Sequence, residues 1–169
     1  MPNLQGDRQM SIKVGDKLPD ATFMEMTGDG PQPRTTADVF GGKTIALFAV
    51  PGAYTPTCSA RHLPGFVDKA SDMKAKGVDE IVCTSVNDVF VMGAWGKSAG
   101  AEQDVRMLAD GNGAFATALG LEMDASGFGM GKRSQRYSML VKDGVVAELN
   151  VEQGPEFKVS SADYLLGQL

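Results

Sequence analysis

Cysteine is nearly absent from this chain: Cys58 and Cys83 are the only two in 169 residues. Two are too few for a disulfide scaffold, and neither belongs to a C-x-x-C pair, so dithiol exchange loses its usual motif. The simplest implication is a reducing compartment holding one reactive and one bland thiol. Long apolar runs are missing as well, since no stretch approaches the roughly 18 residues needed to span a bilayer. The N-terminus, MPNLQGDRQMSIKVGD, lacks the apolar region of a secretory signal, so no membrane association is expected and a cytoplasmic location is. Basic residues are few and scattered, with Lys132, Arg133 and Arg136 the one cluster. A net charge of −5 and a pI near 4.8 argue against a nucleic-acid partner, which asks for a basic face. Internal repeats, linkers and low-complexity runs are also lacking.

What remains is an ordinary globular composition, 43% hydrophobic and 22% charged, long enough for one substantial core and short for two. One domain over residues 11–169 is expected, preceded by a loose polar extension over residues 1–10, with Met10 a second candidate start. Ala21 to Met26 alternates and is broken by Gly28, Gly30, Pro31 and Pro33 before Arg34 to Thr36, which reads as an entry hairpin. Asp38 to Gly42 reads as a turn. Thr44 to Val50 (TIALFAV) is apolar on both faces, as a central parallel strand tends to be. Leu63, Phe66, Val67, Ala70 and Met73 form a helical face, kinked at Pro64 and closed by Gly77. Glu80 to Val86, Val105 to Ala109, Tyr137 to Lys142 and Val145 to Val151 read as strands. Asp88 to Ala99, Gly113 to Leu119 and Ser161 to Gln168 read as helices. Alternation implies a parallel portion, while Asp143-Gly144 marks a late hairpin and hence an antiparallel edge. The expected fold is therefore α/β, with a mixed central sheet covered by helices on both faces.

The chemistry concentrates in Pro51 to Phe66, PGAYTPTCSARHLPGF. A buried strand stops at a proline and a turn, and order resumes as a helix with a cysteine in its first turn. Thr55 is a candidate N-cap, and Pro56 suits the first helical position. Cys58 then lies near unpaired backbone N–H groups, which favour sulfur as the anion. Magnitude shows that this is insufficient. A thiol with pKa about 8.5 is roughly 3% ionised at pH 7, and bringing it to about 6 takes about 3.4 kcal/mol. A helix end supplies typically about 0.3–1 kcal/mol, up to about 2 when partly buried. A second cation is required, and by spacing alone Arg133 and Arg136 in KRSQRYSML are both candidates.

The pattern P-x-x-x-T-x-x-C, filled by Pro51, Thr55 and Cys58 within VPGAYTPTCSARHLPGF, resembles the active-site segment of the type-5 (type II, atypical) peroxiredoxins, and the likeness extends from about Lys13 to the C-terminus. The resemblance implies a thioredoxin-like fold with an N-terminal β-hairpin and a thiol peroxidase acting on hydrogen peroxide and organic hydroperoxides. Cys58 would be the peroxidatic sulfur and pass through a sulfenic acid. Thr55 would align the peroxide, Pro51 would shield the pocket, and Arg136 would stabilise both the thiolate and the departing oxygen, so that Thr55, Cys58 and Arg136 together bind substrate. No cofactor or metal is implied. The resemblance also implies a homodimer packed near the active-site loops, with Tyr54 and Phe115 as candidate contacts.

Two other residues carry alternatives. His62, four residues after Cys58, shares its helical face. It reads either as a supporting residue behind the site or as the general base of a papain-like Cys–His pair, for which no orienting Asn or Asp is evident. A zinc site from Cys58, His62 and Cys83 has the wrong spacing and no fourth ligand. Cys83 lies in a strand expected to be buried, as an inert thiol or as a resolving one reached by local unfolding. No cysteine follows in Val151 to Leu169. A one-cysteine cycle is therefore expected, with glutathione and glutaredoxin, or thioredoxin, as reductant. The alternative is a redox-sensing or chaperone module that oxidises at Cys58 without turnover. Gly42-Lys43-Thr44 precedes its strand and lacks the first P-loop glycine, and Gly127, Gly129 and Gly131 miss the dinucleotide pattern, so both read as loops.

Overall fold

The computed structural model describes residues 11–169; the extension expected over residues 1–10 lies outside them. The architecture follows from β3 (Thr44–Val50), whose side chains are buried on both sides from Ile45 onward. Ala46, Phe48 and Val50 point to one layer, while Ile45, Leu47 and Ala49 point to the other. Such a strand must lie mid-sheet with helices above and below. It pairs in parallel with β4 (Glu80–Ser85) and antiparallel with β8 (Tyr137–Lys142). With β1 (Thr22–Thr27), β2 (Gly30–Thr35), β5 (Arg106–Ala109) and β9 (Val145–Val151), they form a seven-stranded sheet in the order β2-β1-β5-β4-β3-β8-β9. One face carries α2 (Leu63–Asp68), α3 (Ala70–Ala75), α4 (Val89–Ser98) and α6 (Ala162–Leu166). The other carries α1 (Thr36–Phe40) and α5 (Ala114–Leu119). This is the mixed α/β sandwich expected of a thioredoxin-like fold.

Local chemistry sets the boundaries. Asp88 caps α4 by accepting the Val91 N–H at 2.8 Å, and Ser161 caps α6 by accepting that of Tyr164 at 3.1 Å. Asp143 (φ 47°) and Gly144 (φ 78°) both take left-handed backbone, the requirement of the two-residue turn that joins β8 to β9. Three expectations need correction. Asp38 to Gly42 is not a plain turn, because Thr35 and Asp38 form a reciprocal capping box that nucleates the short α1. Gly30, Pro31 and Pro33 do not interrupt a hairpin but belong to β2, which tolerates prolines because it is the sheet's outer strand. The glycine-rich stretch is a loop as expected, and it connects a small second hairpin, β6 (Glu122–Asp124) with β7 (Lys132–Ser134). Phe115 is also no surface contact: it is 1% exposed, its ring 4.7 Å from that of Phe23.

Candidate active site

Topology brings the site together. The chain leaves the carboxyl end of β3 into the Pro51 loop, and because β8 runs antiparallel to β3, its start lies at that same end, with Ala49 opposite Tyr137. Arg136, which immediately precedes β8, is thereby carried to the cysteine loop across 78 residues of sequence. Parallel β4 ends there too, and the Asn87 carboxamide just beyond it accepts the Ala53 N–H at 2.9 Å, holding the loop. Tyr54, half-exposed, turns the chain with φ 65°, a left-handed conformation costly for a residue with a side chain and tolerated where the surroundings enforce it.

The helix then starts at Pro56, with Cys58 its third residue. The Thr55 carbonyl accepts the Ser59 N–H at 2.9 Å, as that of an N-cap residue does. Its hydroxyl does not cap the helix: it stands 2.8 Å from Cys58 Sγ and 2.7 Å from the Gly52 carbonyl oxygen. A hydroxyl has one hydrogen, so it donates either to the carbonyl, while accepting from a thiol, or to the sulfur once the sulfur is an anion. Pro64 lacks the N–H that would bond back to Ala60, and just ahead of it the helix slips into a π turn, Cys58–His62, in which the Leu63 N–H bonds to the Cys58 carbonyl. The expected Pro64 kink thus takes the form of a register change in the turn that holds the cysteine. A second interruption falls at Lys69, between α2 and α3.

Arg136 Nη2 donates to Cys58 Sγ at 3.0 Å, which resolves the choice between the two arginines. Arg133 is engaged elsewhere, donating through Nε to the Met130 carbonyl at 2.9 Å and through Nη1 to that of Val86 at 3.1 Å. There it staples the β6–β7 hairpin to the end of β4. Cys58 itself is wholly buried, so the guanidinium acts on the sulfur with little screening by water. A fixed cation and a hydroxyl donor converge on one sulfur, which suits a nucleophile that must be anionic before attack and must shed negative charge onto a leaving oxygen. Pro51 sits half-buried where β3 ends.

His62 is fully buried, and both of its nitrogens are occupied. Nδ1 lies 2.9 Å from Arg136 Nη1, and a guanidinium only donates, so Nδ1 is the acceptor. Nε2 then carries the hydrogen and donates to the Ser160 carbonyl at 2.8 Å. Burial, reinforced by the Arg136 charge, pushes its pKa down from 6.5 to about 3, so the ring is neutral at pH 7. Neither nitrogen is free to take a proton from sulfur, which removes the papain-like reading. Cys83 is buried in β4 between β3 and β5 and is not bonded to Cys58. Burial, with the neighbouring Cys58 adding to it, pushes its thiol well above the usual range and leaves it a poor nucleophile.

Several supporting residues carried no signal in the sequence. Ser59 Oγ accepts from Trp95 Nε1 at 3.1 Å, tying the cysteine turn to α4. Phe157 packs edge-on to His62 at 5.0 Å between ring centres, and Ser160 receives the His62 hydrogen bond. Both lie about a hundred residues downstream, in a segment with no periodicity to mark it. Asn87 was the more accessible to prediction, as a polar residue just past the carboxyl end of a parallel strand.

Comparison with known proteins places this geometry in context. The sequence model of the family described as Redoxin matches residues 13–166. The chain is 52% identical over 164 residues to the chloroplastic peroxiredoxin-2E-2 of Oryza sativa subsp. japonica, an alignment that spans 94% of this chain and 73% of the relative. It is 49% identical over 159 residues to peroxiredoxin-2B of Arabidopsis thaliana, spanning 94% and 98% respectively. Among solved structures, reduced Prx3 of Vibrio vulnificus in complex with hydrogen peroxide superposes with a TM-score of 0.90 at 52% identity, covering 93% of this chain and 98% of that one.

Proposed function

The chain belongs to the Redoxin family as a peroxiredoxin, a thiol peroxidase, and from that membership we propose that Cys58 is its peroxidatic sulfur, assisted by Thr55, Arg136 and Pro51 in a one-cysteine cycle. The observation that carries the assignment is the convergence of the Arg136 guanidinium, at 3.0 Å, and the Thr55 hydroxyl, at 2.8 Å, on the buried Cys58 sulfur. In the reaction the Cys58 thiolate attacks the terminal oxygen of a hydroperoxide. An S–O bond forms as the O–O bond breaks, sulfur is oxidised to the sulfenic acid, and the other oxygen departs with the electron pair and takes up a proton as water or alcohol. Negative charge moves from sulfur to that oxygen, and Arg136 spans the path with several fixed donors. The Thr55 hydroxyl, released from the thiolate, orients the peroxide, and Pro51 keeps bulk water from the sulfenic acid. The peroxide bound in the Vibrio vulnificus relative is consistent with this substrate class.

An external thiol completes the cycle. It attacks the sulfenic sulfur, releasing water and leaving a mixed disulfide, and a second thiol displaces Cys58 as thiolate. Glutathione with glutaredoxin, or thioredoxin, would serve, and a cytoplasmic location would supply them. Cys83 is set aside as the resolving thiol because it is buried within the central sheet and held protonated. A homodimer in which the half-exposed Tyr54 lies at the contact accords with the same family reading. The test is stoichiometric: the reduced protein receives one equivalent of hydrogen peroxide, and thiols are counted while dimedone traps sulfenic acid, in wild type and Cys83→Ser. A Cys58 adduct in both is expected. Loss of both thiols in wild type would make Cys83 the resolving residue. Absence of Cys58 oxidation would remove the assignment.

A further inference from the structure

Behind Arg136 the C-terminal strap over residues 152–160 forms a closed circuit of hydrogen bonds. The Glu152 N–H donates to the Arg136 carbonyl at 3.0 Å. The Glu152 carboxylate is buried, and its Oε2 accepts three donors: the Lys158 N–H at 2.8 Å, the Ser160 N–H at 2.8 Å and Ser160 Oγ at 2.6 Å. The Ser160 carbonyl accepts from His62 Nε2, and His62 Nδ1 accepts from Arg136 Nη1. The circuit begins and ends on Arg136, whose Nη2 reaches Cys58. Among the described residues, Glu152 makes no ion pair and spends its charge on two backbone amides and a hydroxyl, which is how a loop is frozen in one conformation.

We propose that Glu152 is a positioning residue of the peroxidase site: by fixing Ser160 it selects the Nε2–H tautomer of His62, and the lone pair so exposed on Nδ1 orients the Arg136 guanidinium toward Cys58. The chain of cause is short. Without a fixed acceptor at Nε2 the hydrogen is free to move to Nδ1, and an Nδ1–H faces a guanidinium N–H with no acceptor between them. The guanidinium must then rotate away, and it takes the second donor off the sulfur. The charged group that contacts His62 is Arg136, whose other nitrogen Nη2 reaches Cys58, while Arg61 stacks on Phe157 at 4.7 Å from its ring centre. The proposal rests on the Cys58 assignment above, but its first readout does not depend on turnover.

His62 is the only histidine in the chain, so one imidazole appears in a long-range ¹H–¹⁵N correlation spectrum of the full-length protein. Wild type at pH 7 is expected to show a neutral ring with hydrogen on Nε2, and a charged ring or the Nδ1–H tautomer would overturn the proposal with no variant needed. Glu152→Ala is expected to mix the tautomers and to lower the rate constant with hydrogen peroxide about 10- to 100-fold. Glu152→Gln, which keeps an acceptor oxygen, is expected to fall between the two and to serve if the alanine variant does not fold. Glu156→Gln, exposed on the same strap, is expected to match wild type. A folded Glu152 variant with unchanged tautomer and rate would refute the positioning role. A wild type with the expected tautomer but no reaction with peroxide would instead refute the Cys58 assignment.

Discussion

Lowering the pH from 7.5 to 5 is expected to cost the folded protein about 2 kcal/mol through His62 alone. In the unfolded chain this imidazole titrates near 6.5, and in the folded protein burial and the Arg136 charge hold it to about 3. The folded pKa is the lower one, so above pH 6.5 neither state binds the proton and nothing is lost. As pH falls from 6.5 toward 3, the unfolded state takes up a proton that the folded state refuses, and stability drops along that whole window. The full gap corresponds to roughly 5 kcal/mol, of which about 2 is spent by pH 5. For a domain whose stability is about 5–15 kcal/mol that is a large share. With a urea dependence near 2 kcal/mol per molar, the unfolding midpoint falls by about 1 M. Asp110, whose carboxyl is raised by burial, works in the opposite sense, so the comparison that isolates His62 is with His62→Gln. Trp95, the one tryptophan in the chain, is buried and hydrogen-bonded to the cysteine turn and serves as the fluorescent probe, at one fixed concentration of reduced protein. Wild type should lose about 2 kcal/mol and the variant markedly less. A wild-type midpoint that stays level between pH 7.5 and 5, or a variant that falls as steeply, would refute the account of a neutral imidazole locked between Ser160 and Arg136.

Arg136→Met should lower the second-order rate constant with hydrogen peroxide about 10²–10³-fold in stopped-flow fluorescence, because it removes the guanidinium bonded to the Cys58 sulfur, the donor proposed to follow charge onto the leaving oxygen. Arg133→Met, whose guanidinium among the described residues hydrogen-bonds the Met130 and Val86 carbonyls, should have a much smaller effect, and equal losses would contradict the division of roles. Phe48→Ala should destabilise by about 3–5 kcal/mol in urea titration, since its buried ring lies 4.1 Å from that of Phe66 and 4.8 Å from that of His62. Gly144→Ala should cost about 1–2 kcal/mol in the same assay, through backbone strain at φ 78° and not crowding, as a Cβ there would meet nothing within 4 Å.

Six of the seven strands of the main sheet, all but the edge strand β2, are legible in the amino-acid pattern alone, because each announces itself locally: TIALFAV by being apolar on both faces, Tyr137 to Val151 by the Asp143-Gly144 turn between two runs. Cys58 and Thr55 are legible as candidates too, because their spacing across a strand end, a turn and a helix start lies within one short segment, and the fold sets them 2.8 Å apart. The pattern misreads Asp38 to Gly42 and the edge strand with its prolines, where short-range signals of turn and strand compete and only the neighbouring element decides. The choice of Arg136 over Arg133 could not come from spacing; it follows from the antiparallel pairing of β8 with β3, which sets the start of one strand against the end of the other. The same holds for His62, Ser160 and Glu152. Their contact spans about ninety residues and depends on which tautomer, which carbonyl and which face a folded strap presents. Local sequence encodes propensity and period, whereas the direction in which a buried donor points is fixed only when every element around it has packed.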